Sequence, residues 1–457
     1  MSSSFASIFP GDESLVAEYP LHEAAQVEER LQAAHLAGGQ WKGSEIADRA
    51  VHLRSIAQEL RSQTEPLAAL MTSEMGKPLA QGRAEVQKCA WVCEYYADNA
   101  GAQLANVDVV SAASRSYVAF RPLGVILGIM PWNFPLWQVF RFVAPALMGG
   151  NSTLIKHAPN VTGCALAIEA LVERAGLPRS LVSFLVVDQD VVHSIIPDRR
   201  IAAVTVTGSP RAGRAVAASA GAALKKVVLE LGGSDPYLIL EGADLDKAVE
   251  ACALSRLVNS GQSCIAAKRI ITVPSVHDEF CRRFVARMSE AVVGDPREPQ
   301  TQVGPLARVD LRDQLHQQIQ DSVAGGATLL LGGQCPDGAG AWYPVTVLAD
   351  VEPGMPAFDE ELFGPAVGII RAKDESDAIM LANRSCFGLG AAVFAGDRER
   401  AELIAEQKLE AGCCFVNDWV KSDPRLPFGG IRESGYGREL GPLGIHEFMN
   451  AKTISIE

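Results

Sequence analysis

The 457-residue sequence predicts an α/β fold, because short apolar strands alternate with helical segments along most of its length. Between residues 125 and 240 the apolar runs recur at similar intervals, and the run over 237–240 is expected to continue this first series. A second series begins near Asp246. Such alternation favours parallel, doubly wound sheets, which bind ligands beyond the carboxyl ends of their strands. The length of the chain also indicates two or three domains.

Helices and exposed strands outside these two series follow from shorter patterns. Helical periodicity over 22–36, 44–75 and 79–104 predicts helices that cover an α/β domain. Residues 116–120 alternate between polar and apolar, which predicts a half-exposed strand with an edge suited to pairing with another chain. Residues 451–457 alternate in the same way and are expected to form an edge strand.

Composition and charge exclude several classes of partner. The net charge is −13, from 41 basic and 54 acidic residues, so the chain has no broad electrostatic reason to bind nucleic acid or anionic lipid. No apolar run approaches the ~18 residues of a membrane span, and the first residues carry no signal-peptide pattern. The ten cysteines are irregularly spaced, which is typical of a reducing compartment. We therefore expect a cytoplasmic protein without disulfides.

The cysteines and histidines do not predict a metal site. Cys89 and Cys93 share a predicted helix, but no further ligands follow them, so helix packing is favoured over metal binding. The eight histidines are scattered and form no pair at helical spacing. No metal is expected.

One cysteine has the surroundings of a reactive thiol. Cys264 lies between Gly261 and Ser263 on one side and Ala266 on the other, which leaves room for a ligand. A thiolate attacks carbonyl carbon well, and the backbone N–H of Cys264 could point at the developing oxyanion. A lone cysteine is more often a packing residue, so its role depends on the other polar residues near strand ends.

Asn133 and Glu230 are candidates for the remaining chemistry. Asn133 follows a predicted strand within P-W-N-F-P, where a rigid amide is a good oxyanion donor and a helix cap is the alternative. Glu230 interrupts an apolar strand, where burial raises the pKa of a carboxyl group and suits a general base. A buried ion pair is the alternative for Glu230, although Gly232 and Gly233 after it allow a ligand to approach.

Further segments have the composition of ligand-binding loops. Gly208 and Gly213 flank a turn before a helix, where free N–H groups attract phosphate, but such turns are often only connections. Lys156 ends an earlier strand and could bind ribose or phosphate oxygens or be solvated. The Gly-rich stretch over 427–439 is compatible with a loop against a ligand or with a tight interdomain connector.

Taken together, six motifs resemble the aldehyde dehydrogenase superfamily, most closely its bacterial succinate-semialdehyde dehydrogenases. They occur in the family's order from about Val125 to the end of the chain, and six ordered motifs are far more specific than one. The motifs are P-W-N-F-P, T-G-S-x-x-x-G, L-E-L-G-G, G-Q-S-C, E-E-L-F-G-P and P-F-G-G-I-R-E-S-G-Y-G-R-E. The resemblance implies a Rossmann-like dinucleotide-binding domain over 1–106 and 125–240 and a catalytic α/β domain over 241–439. It also implies a small β oligomerisation element over 107–124 and 440–457, and with it a homodimer or homotetramer.

The resemblance further implies NAD(P)-dependent oxidation of an aldehyde through a cysteine thiohemiacetal and thioester. Cys264 resembles the nucleophile, and Asn133 resembles the side chain that holds the oxyanion together with the Cys264 N–H. Glu230 resembles the base that activates the deacylating water, and Glu439 matches a glutamate that relays protons. Ala266 stands where some relatives have a second cysteine, so no redox switch is expected.

The expected dinucleotide contacts also come from the resemblance. The family's usual ribose-binding glutamate is replaced by Pro159, which permits a 2′-phosphate beside Lys156 and His157 and favours NADP, with NAD usable. Asp188, near the end of the next strand, argues the other way. The full set of implied cofactor contacts is Trp132, Lys156, His157, Pro159, Gly208, Ser209, Gly213, Leu231, Glu361 and Phe363.

Succinate semialdehyde is the implied small-molecule substrate. Arg141 and Ser422 match residues that hold its distal carboxylate, although Arg141 as a surface or interface charge is the alternative. A second arginine of some relatives is replaced by Val258, and Arg256 and Arg425 are the candidates to compensate for it. Trp137 and Phe428 are the remaining expected substrate contacts. A broad-specificity short-chain aldehyde dehydrogenase and an enzyme that transfers its acyl group to coenzyme A are the alternative functions.

Overall fold

The computed structural model describes residues 4–457, which form helices and strands in the following order. The first part contains β1 (Ser4–Ile8), β2 (Leu15–Pro20), α1 (Ala24–Trp41), α2 (Ile46–Ser62), α3 (Thr64–Met75), α4 (Leu79–Gln103), β3 (Val107–Asp108), β4 (Arg115–Pro122), β5 (Val125–Ile129), α5 (Trp137–Met148), β6 (Ser152–Lys156), α6 (Thr162–Arg174), β7 (Val182–Leu185), α7 (Gln189–Ile195), β8 (Ile201–Thr207), α8 (Pro210–Ala222) and β9 (Lys226–Glu230). The second part contains β10 (Asp235–Ile239), α9 (Leu245–Leu257), β11 (Ala267–Thr272), α10 (Pro274–Ser289), α11 (Val309–Ala324), β12 (Thr328–Leu331), β13 (Thr346–Ala349), α12 (Pro356–Asp359), β14 (Ala366–Arg371), α13 (Glu375–Asn383), β15 (Gly390–Phe394), α14 (Arg398–Gln407), β16 (Cys413–Val416), β17 (Gly435–Tyr436), α15 (Gly441–His446) and β18 (Met449–Ile456).

The N-terminal region differs from the sequence prediction in two places. An antiparallel hairpin of β1 and β2 precedes the helices and was not predicted. The single helix expected over 44–75 is divided at Gln63, whose ψ of 18° leaves the helical region. Beside it the Thr64 hydroxyl donates to the Arg61 carbonyl oxygen at 2.8 Å. A short polar side chain that bonds nearby backbone offers an alternative to continued helix, which apolar periodicity does not reveal.

Two doubly wound sheets confirm the predicted fold class. In the first sheet the order is β17-β9-β8-β5-β6-β7, with only the short β17 antiparallel to its neighbour. In the second the order is β12-β13-β14-β11-β10-β15-β16, with β12 antiparallel. Most parallel strands are buried, as expected for sheets with helices on both faces.

The strand predicted over 237–240 was assigned to the wrong sheet. Its counterpart β10 pairs with β11 and β15 of the second sheet, so the chain leaves the first sheet directly after β9. Gly232 and Gly233 make this crossing possible, because a Cβ at Gly233 would lie 2.6 Å from the Cys264 carbonyl oxygen. An apolar run is equally compatible with either sheet. The other expected domain boundaries stay a prediction.

A third, antiparallel sheet combines β3, β4 and β18. β18 pairs with β4 in continuous register, from Met449 opposite Pro122 to Ile456 opposite Arg115. Most side chains of β18 are exposed, and its outer edge is unpaired within the chain described here. The two segments that alternate in the sequence therefore form one small sheet.

Residues 4–457 contain neither a helix that could span a membrane nor a cluster of metal ligands. None of the helices there has both the length and the apolar character required to span a bilayer. Within the same residues, histidine, cysteine and carboxylate side chains form no cluster of three that could hold a metal ion.

Candidate functional site

Cys264 is half-buried and lies where two cavities meet. The first, which we call the sheet-end cavity, has a volume of about 500 Å³ and opens at the carboxyl ends of β5, β8 and β9. The second, the inner cavity, has a volume of about 280 Å³. Among residues 4–457, Cys264 and Gln138 alone line both cavities, so a molecule in either cavity can reach the sulfur.

The turn before Cys264 has an unusual backbone. Asn259, Ser260 and Gly261 have φ values of 56°, 54° and 76°, all in the left-handed region that disfavours side chains. A side chain at Gly261 would also collide with the carbonyl group of Gly364. Such strain persists only where surrounding contacts enforce it, and it concentrates at functional sites.

Two buried cations enforce this conformation. Arg256 is fully buried and donates to the carbonyl oxygens of Gly261, Ala267 and Leu362. Lys268 donates to the carbonyl oxygens of Ser263 and Cys264 at 2.8 and 2.6 Å. Hydrogen bonds to backbone carbonyl oxygens, and not contacts of the thiol, therefore fix the position of Cys264.

The thiol of Cys264 is protonated in this state. Burial raises the pKa of Cys264 to about 12, and the positive charges of Lys268 and Arg141 offset only part of that rise. A neutral thiol near two cations matches a nucleophile that loses its proton during the reaction.

Asn133 does not act as the helix cap that was its alternative role. The N-terminus of α5 is capped by Glu85, whose Oε1 accepts from the backbone N–H groups of Leu136 and Trp137 at 2.9 Å each. Asn133 Nδ2 donates instead to the Gln262 carbonyl oxygen at 3.0 Å, and the residue lines the sheet-end cavity. Its second N–H has no hydrogen-bond partner within residues 4–457 and is available to a ligand in the cavity that Cys264 also lines.

Glu230, Glu439 and Arg141 form a buried charge cluster. Arg141 is ion-paired with Glu439, and both side chains are at most 3% exposed. Burial raises the pKa of Glu230 well above its usual range, and the charge of Glu439 adds to the rise. Burial also raises the pKa of Glu439, against the effect of Arg141. Glu230 contacts neither cavity in this conformation, because Oε1 faces Gly429.

We expect the substitution Arg141→Met to lower the free energy of unfolding by about 3–5 kcal/mol, because it leaves buried carboxylates without their cation. Urea denaturation measures the change. Arg425→Met is a matched control, since Arg425 pairs with Asp423 on the surface and its loss should cost less than about 1 kcal/mol. Equal losses in the two variants would contradict the assignment of a buried pair.

Most of the predicted dinucleotide contacts line the sheet-end cavity. Trp132 and Phe363 meet edge to face with ring centroids 5.7 Å apart. Glu361 accepts from the Gly233 N–H at 3.1 Å and pairs with Lys268. The residues of the predicted set in this cavity are Trp132, Gly208, Ser209, Leu231, Glu361 and Phe363.

Two other residues of the predicted dinucleotide set, Gly213 and His157, do not line the sheet-end cavity, and as cofactor contacts they stay predictions. Gly213 is buried in α8, where a Cβ would lie 2.6 Å from the Leu231 side chain, so it serves close packing of helix on strand. His157 is buried with its Nε2 2.8 Å from the Pro135 carbonyl oxygen, while its Nδ1 accepts from the Ala158 N–H. Burial lowers the pKa of His157 to about 4, so the ring cannot offer a charge to phosphate.

Lys156 and Pro159 lie outside both cavities. Lys156 ends β6 and is buried, and no hydrogen bond or ion pair of its ammonium group is found within residues 4–457. Burial lowers the pKa of Lys156, while the charge of Asp188 raises it. Pro159 is exposed at the following turn. These two residues stay predictions as cofactor contacts.

The inner cavity contains all four predicted substrate contacts. Arg141 and Phe428 lie against each other, with the guanidinium carbon 4.9 Å from the ring centroid. Trp137 and Ser422 complete the predicted set. Val258 also lines this cavity. The four residues come from α5 and from the loops after β16, which the sequence separates by almost 300 positions.

The two arginines expected to compensate for Val258 do not line the inner cavity, whereas a lysine that was not predicted does. Arg256 holds the turn before Cys264, and Arg425 is exposed and paired with Asp423, so neither lines the inner cavity. Lys88 does, from the middle of α4. Nothing in the local sequence distinguishes Lys88 from other lysines on a covering helix, so only the packing of α4 against α5 reveals it.

Comparison with known proteins matches this arrangement. The family model described as "Aldehyde dehydrogenase family" covers residues 1–454. The chain is 48% identical to a succinate semialdehyde dehydrogenase [NAD(P)+] of Escherichia coli, over 98% of this chain and 97% of that protein. A succinate-semialdehyde dehydrogenase [NADP(+)] 1 of Mycobacterium tuberculosis is 43% identical over 99% of both. The crystal structure of succinic semialdehyde dehydrogenase from Streptococcus pyogenes in complex with NADP+ superposes with a TM-score of 0.96 at 35% identity, over 99% of both chains. These similarities confirm the resemblance carried by the six motifs, and the chain belongs to the aldehyde dehydrogenase family.

Proposed function

We propose that this protein oxidises succinate semialdehyde to succinate, with NADP as the preferred hydride acceptor and NAD as a usable one. The observation that carries the proposal is the position of Cys264 between a cavity at the ends of parallel strands and a second, partly basic cavity. The names of the similar proteins from three bacteria support the substrate and the cofactor.

The first step is addition of the Cys264 thiol to the aldehyde carbon. The S–C bond forms, the carbonyl π bond breaks, and the proton of the thiol ends on oxygen to give a thiohemiacetal. The Cys264 N–H and the free Asn133 N–H donate to the developing oxyanion. Because the turn is held by Arg256 and Lys268, these donors are in place before the substrate binds.

A nicotinamide dinucleotide held by the residues of the sheet-end cavity would supply the acceptor for the hydride of the former aldehyde carbon, and the hydroxyl proton of the thiohemiacetal would leave to solvent in the same step. The thioester that remains on Cys264 is then hydrolysed. Glu230 takes a proton from water, whose oxygen attacks the thioester carbon, and the C–S bond breaks as succinate leaves and the sulfur regains a proton. Since Glu230 faces Gly429 in this conformation, its carboxyl group has to turn toward Cys264 for this step.

The sheet-end cavity fits a dinucleotide. No atom lies within 4 Å of the position that a Cβ would take at Gly208, which leaves space for a close ligand. The following helix α8 begins after Ser209. Pro210 has no N–H, and the N–H groups of Ala212 and Gly213 donate to Ser209, which leaves the Arg211 N–H at this helix end to favour the pyrophosphate. With a neutral His157, the charge for a 2′-phosphate falls to Lys156.

Initial rates test the proposal and its alternatives. We expect absorbance of reduced nicotinamide to rise with succinate semialdehyde, faster with NADP than with NAD and faster than with butanal. Equal rates with both aldehydes would favour the broad-specificity alternative. Free succinate should form without coenzyme A, because a hydrolytic base is wasted in an acyl-transferring enzyme. A requirement for coenzyme A would overturn the role of Glu230.

We further propose a homodimer or homotetramer that works in the cytoplasm. The exposed edge of β18 supports the first part, since an unpaired strand is a template for another chain. All ten cysteines are free, which supports a reducing compartment. Light scattering should give at least twice the 48.7 kDa of one chain, and a monomeric mass would contradict the assembly.

A further inference from the structure

The charge of Arg141 is already engaged within the protein. Its guanidinium pairs with Glu439, donates to the Thr207 hydroxyl at 3.4 Å and lies over the Phe428 ring. Glu230, close to the same pair, adds a second acidic group to the cluster. Part of the positive charge of Arg141 is therefore balanced inside the protein before a substrate carboxylate binds.

Lys88 is in the opposite situation. Its ammonium group lies on the wall of the inner cavity, 2.7 Å from Ser422 Oγ and 4.4 Å from the centroid of the Trp137 ring. Within residues 4–457 no carboxylate pairs with it. The two carboxylates whose charges act on Lys88 are engaged elsewhere, because Glu85 pairs with Lys77 and Asp423 pairs with Arg425.

The hydrogen bond between Lys88 and Ser422 also prepares a second donor. The ammonium donates to Ser422 Oγ, so the hydroxyl hydrogen of Ser422 is free to donate to another acceptor. An ammonium and a hydroxyl side by side, facing a cavity that ends at Cys264, match the two oxygens of one carboxylate.

We propose that Lys88, with Ser422, binds the distal carboxylate of the substrate and so selects an aldehyde that carries an acid group. This inference rests on the proposed function, because it concerns the same cavity. Arg141 lines the same cavity but shares its charge with Glu439, so Lys88 adds a charge that no carboxylate within residues 4–457 pairs with.

The experiment compares kcat/KM for succinate semialdehyde and for butanal, which has the same carbon chain without the acid. In Lys88→Met we expect the ratio of the two values to fall about 10- to 100-fold, the cost of losing a charge-assisted hydrogen bond. The loss should appear mainly in KM. Lys88→Arg keeps the charge and should recover part of the ratio.

Lys226→Met is the matched control. Lys226 lines neither cavity, and its partly exposed ammonium pairs with Glu447 at 2.8 Å. We expect the ratio to change less than about threefold in this variant, because an exposed ion pair contributes little. Thermal unfolding of each variant identifies any general loss of structure.

The two hypotheses fail in different ways. A wild-type enzyme without preference for succinate semialdehyde over butanal would refute the proposed substrate. A wild-type enzyme with the preference, retained in Lys88→Met, would refute the role of Lys88 alone. Loss of the preference in Lys226→Met to the same extent would assign it to the general charge of the protein and refute the role of Lys88.

A measurement on the unaltered protein gives an independent test. Burial, and then the charge of Arg141, lower the pKa of Lys88 to about 8, while Cys89, Glu85 and Asp423 act in the opposite direction. The ammonium is therefore lost as pH rises through 8. We expect KM for succinate semialdehyde to increase across this range while KM for butanal does not. Parallel pH profiles for both aldehydes would overturn the proposal.

Discussion

Replacing Cys264 by alanine should reduce turnover of succinate semialdehyde by at least about 10⁴-fold, because the hydride can leave only after sulfur has added to the aldehyde. The loss should be confined to chemistry. The turn is held by Arg256, Lys268 and the backbone, and no hydrogen bond found within residues 4–457 involves the sulfur, so its removal leaves the site in place. We expect the Kd for NADP, followed by quenching of Trp132 fluorescence, to stay within about threefold of the wild-type value.

A second cysteine provides the control for this prediction. Cys386 lines the same sheet-end cavity but is exposed, and it lies away from the inner cavity. Cys386→Ala should therefore retain turnover while removing a thiol from the cofactor side. If Cys264→Ala keeps activity and Cys386→Ala loses it, the nucleophile is assigned to the wrong cysteine.

The sequence allowed the central part of this site to be predicted because its chemistry lies in contiguous motifs. Cys264, Asn133 and Glu361 each sit in a short segment whose residue types are unusual for a loop or a strand end. Parallel sheets then bring such segments together at one edge, whatever their separation along the chain. The same rule predicts the fold class and explains why residues of several motifs line the sheet-end cavity together.

The features that could not be predicted depend on three-dimensional packing. Gly213 belongs to the T-G-S-x-x-x-G motif, yet it packs against Leu231. His157 follows Lys156 directly, yet its ring contacts the Pro135 carbonyl group. Their neighbours come from other elements, so no local pattern reveals them. Lys88 is the converse case, an ordinary helical lysine that becomes significant only because α4 packs on α5. The sheet to which β10 belongs could not be predicted for the same reason, because its neighbours β11 and β15 come from other parts of the chain.

Glu230→Gln should lower kcat for succinate semialdehyde by about 10²- to 10⁴-fold, the usual contribution of a general base. Hydrolysis of the thioester becomes the slow step, so we expect a burst of reduced nicotinamide close to one equivalent per active subunit. Stopped-flow absorbance measures this burst. A low rate without a burst would place Glu230 before hydride transfer, and an unchanged rate would remove it from the mechanism.

The same variant should be more stable than the wild type at alkaline pH. The pKa of Glu230 is raised in the folded protein by burial and by Glu439, so folding favours its protonated form. That contribution is fully present below the ordinary pKa of about 4.5 and is lost as pH rises through the higher folded value. Glutamine is uncharged at every pH and resembles protonated glutamate in shape. The free energy of unfolding of the variant should therefore exceed that of the wild type by an amount that grows from pH 5 to pH 8.

Thermal unfolding at the two pH values measures this difference. Glu433→Gln is the control, because Glu433 is partly exposed and pairs with Arg214, and its removal should change stability by less than about 1 kcal/mol. Gain of stability together with loss of turnover would mean that the protein retains a destabilising carboxyl group for its chemistry. If Glu230→Gln unfolds more easily at pH 8, Glu230 contributes to the fold as a charged partner of Arg141 or Arg438, and the base that activates water must be sought elsewhere.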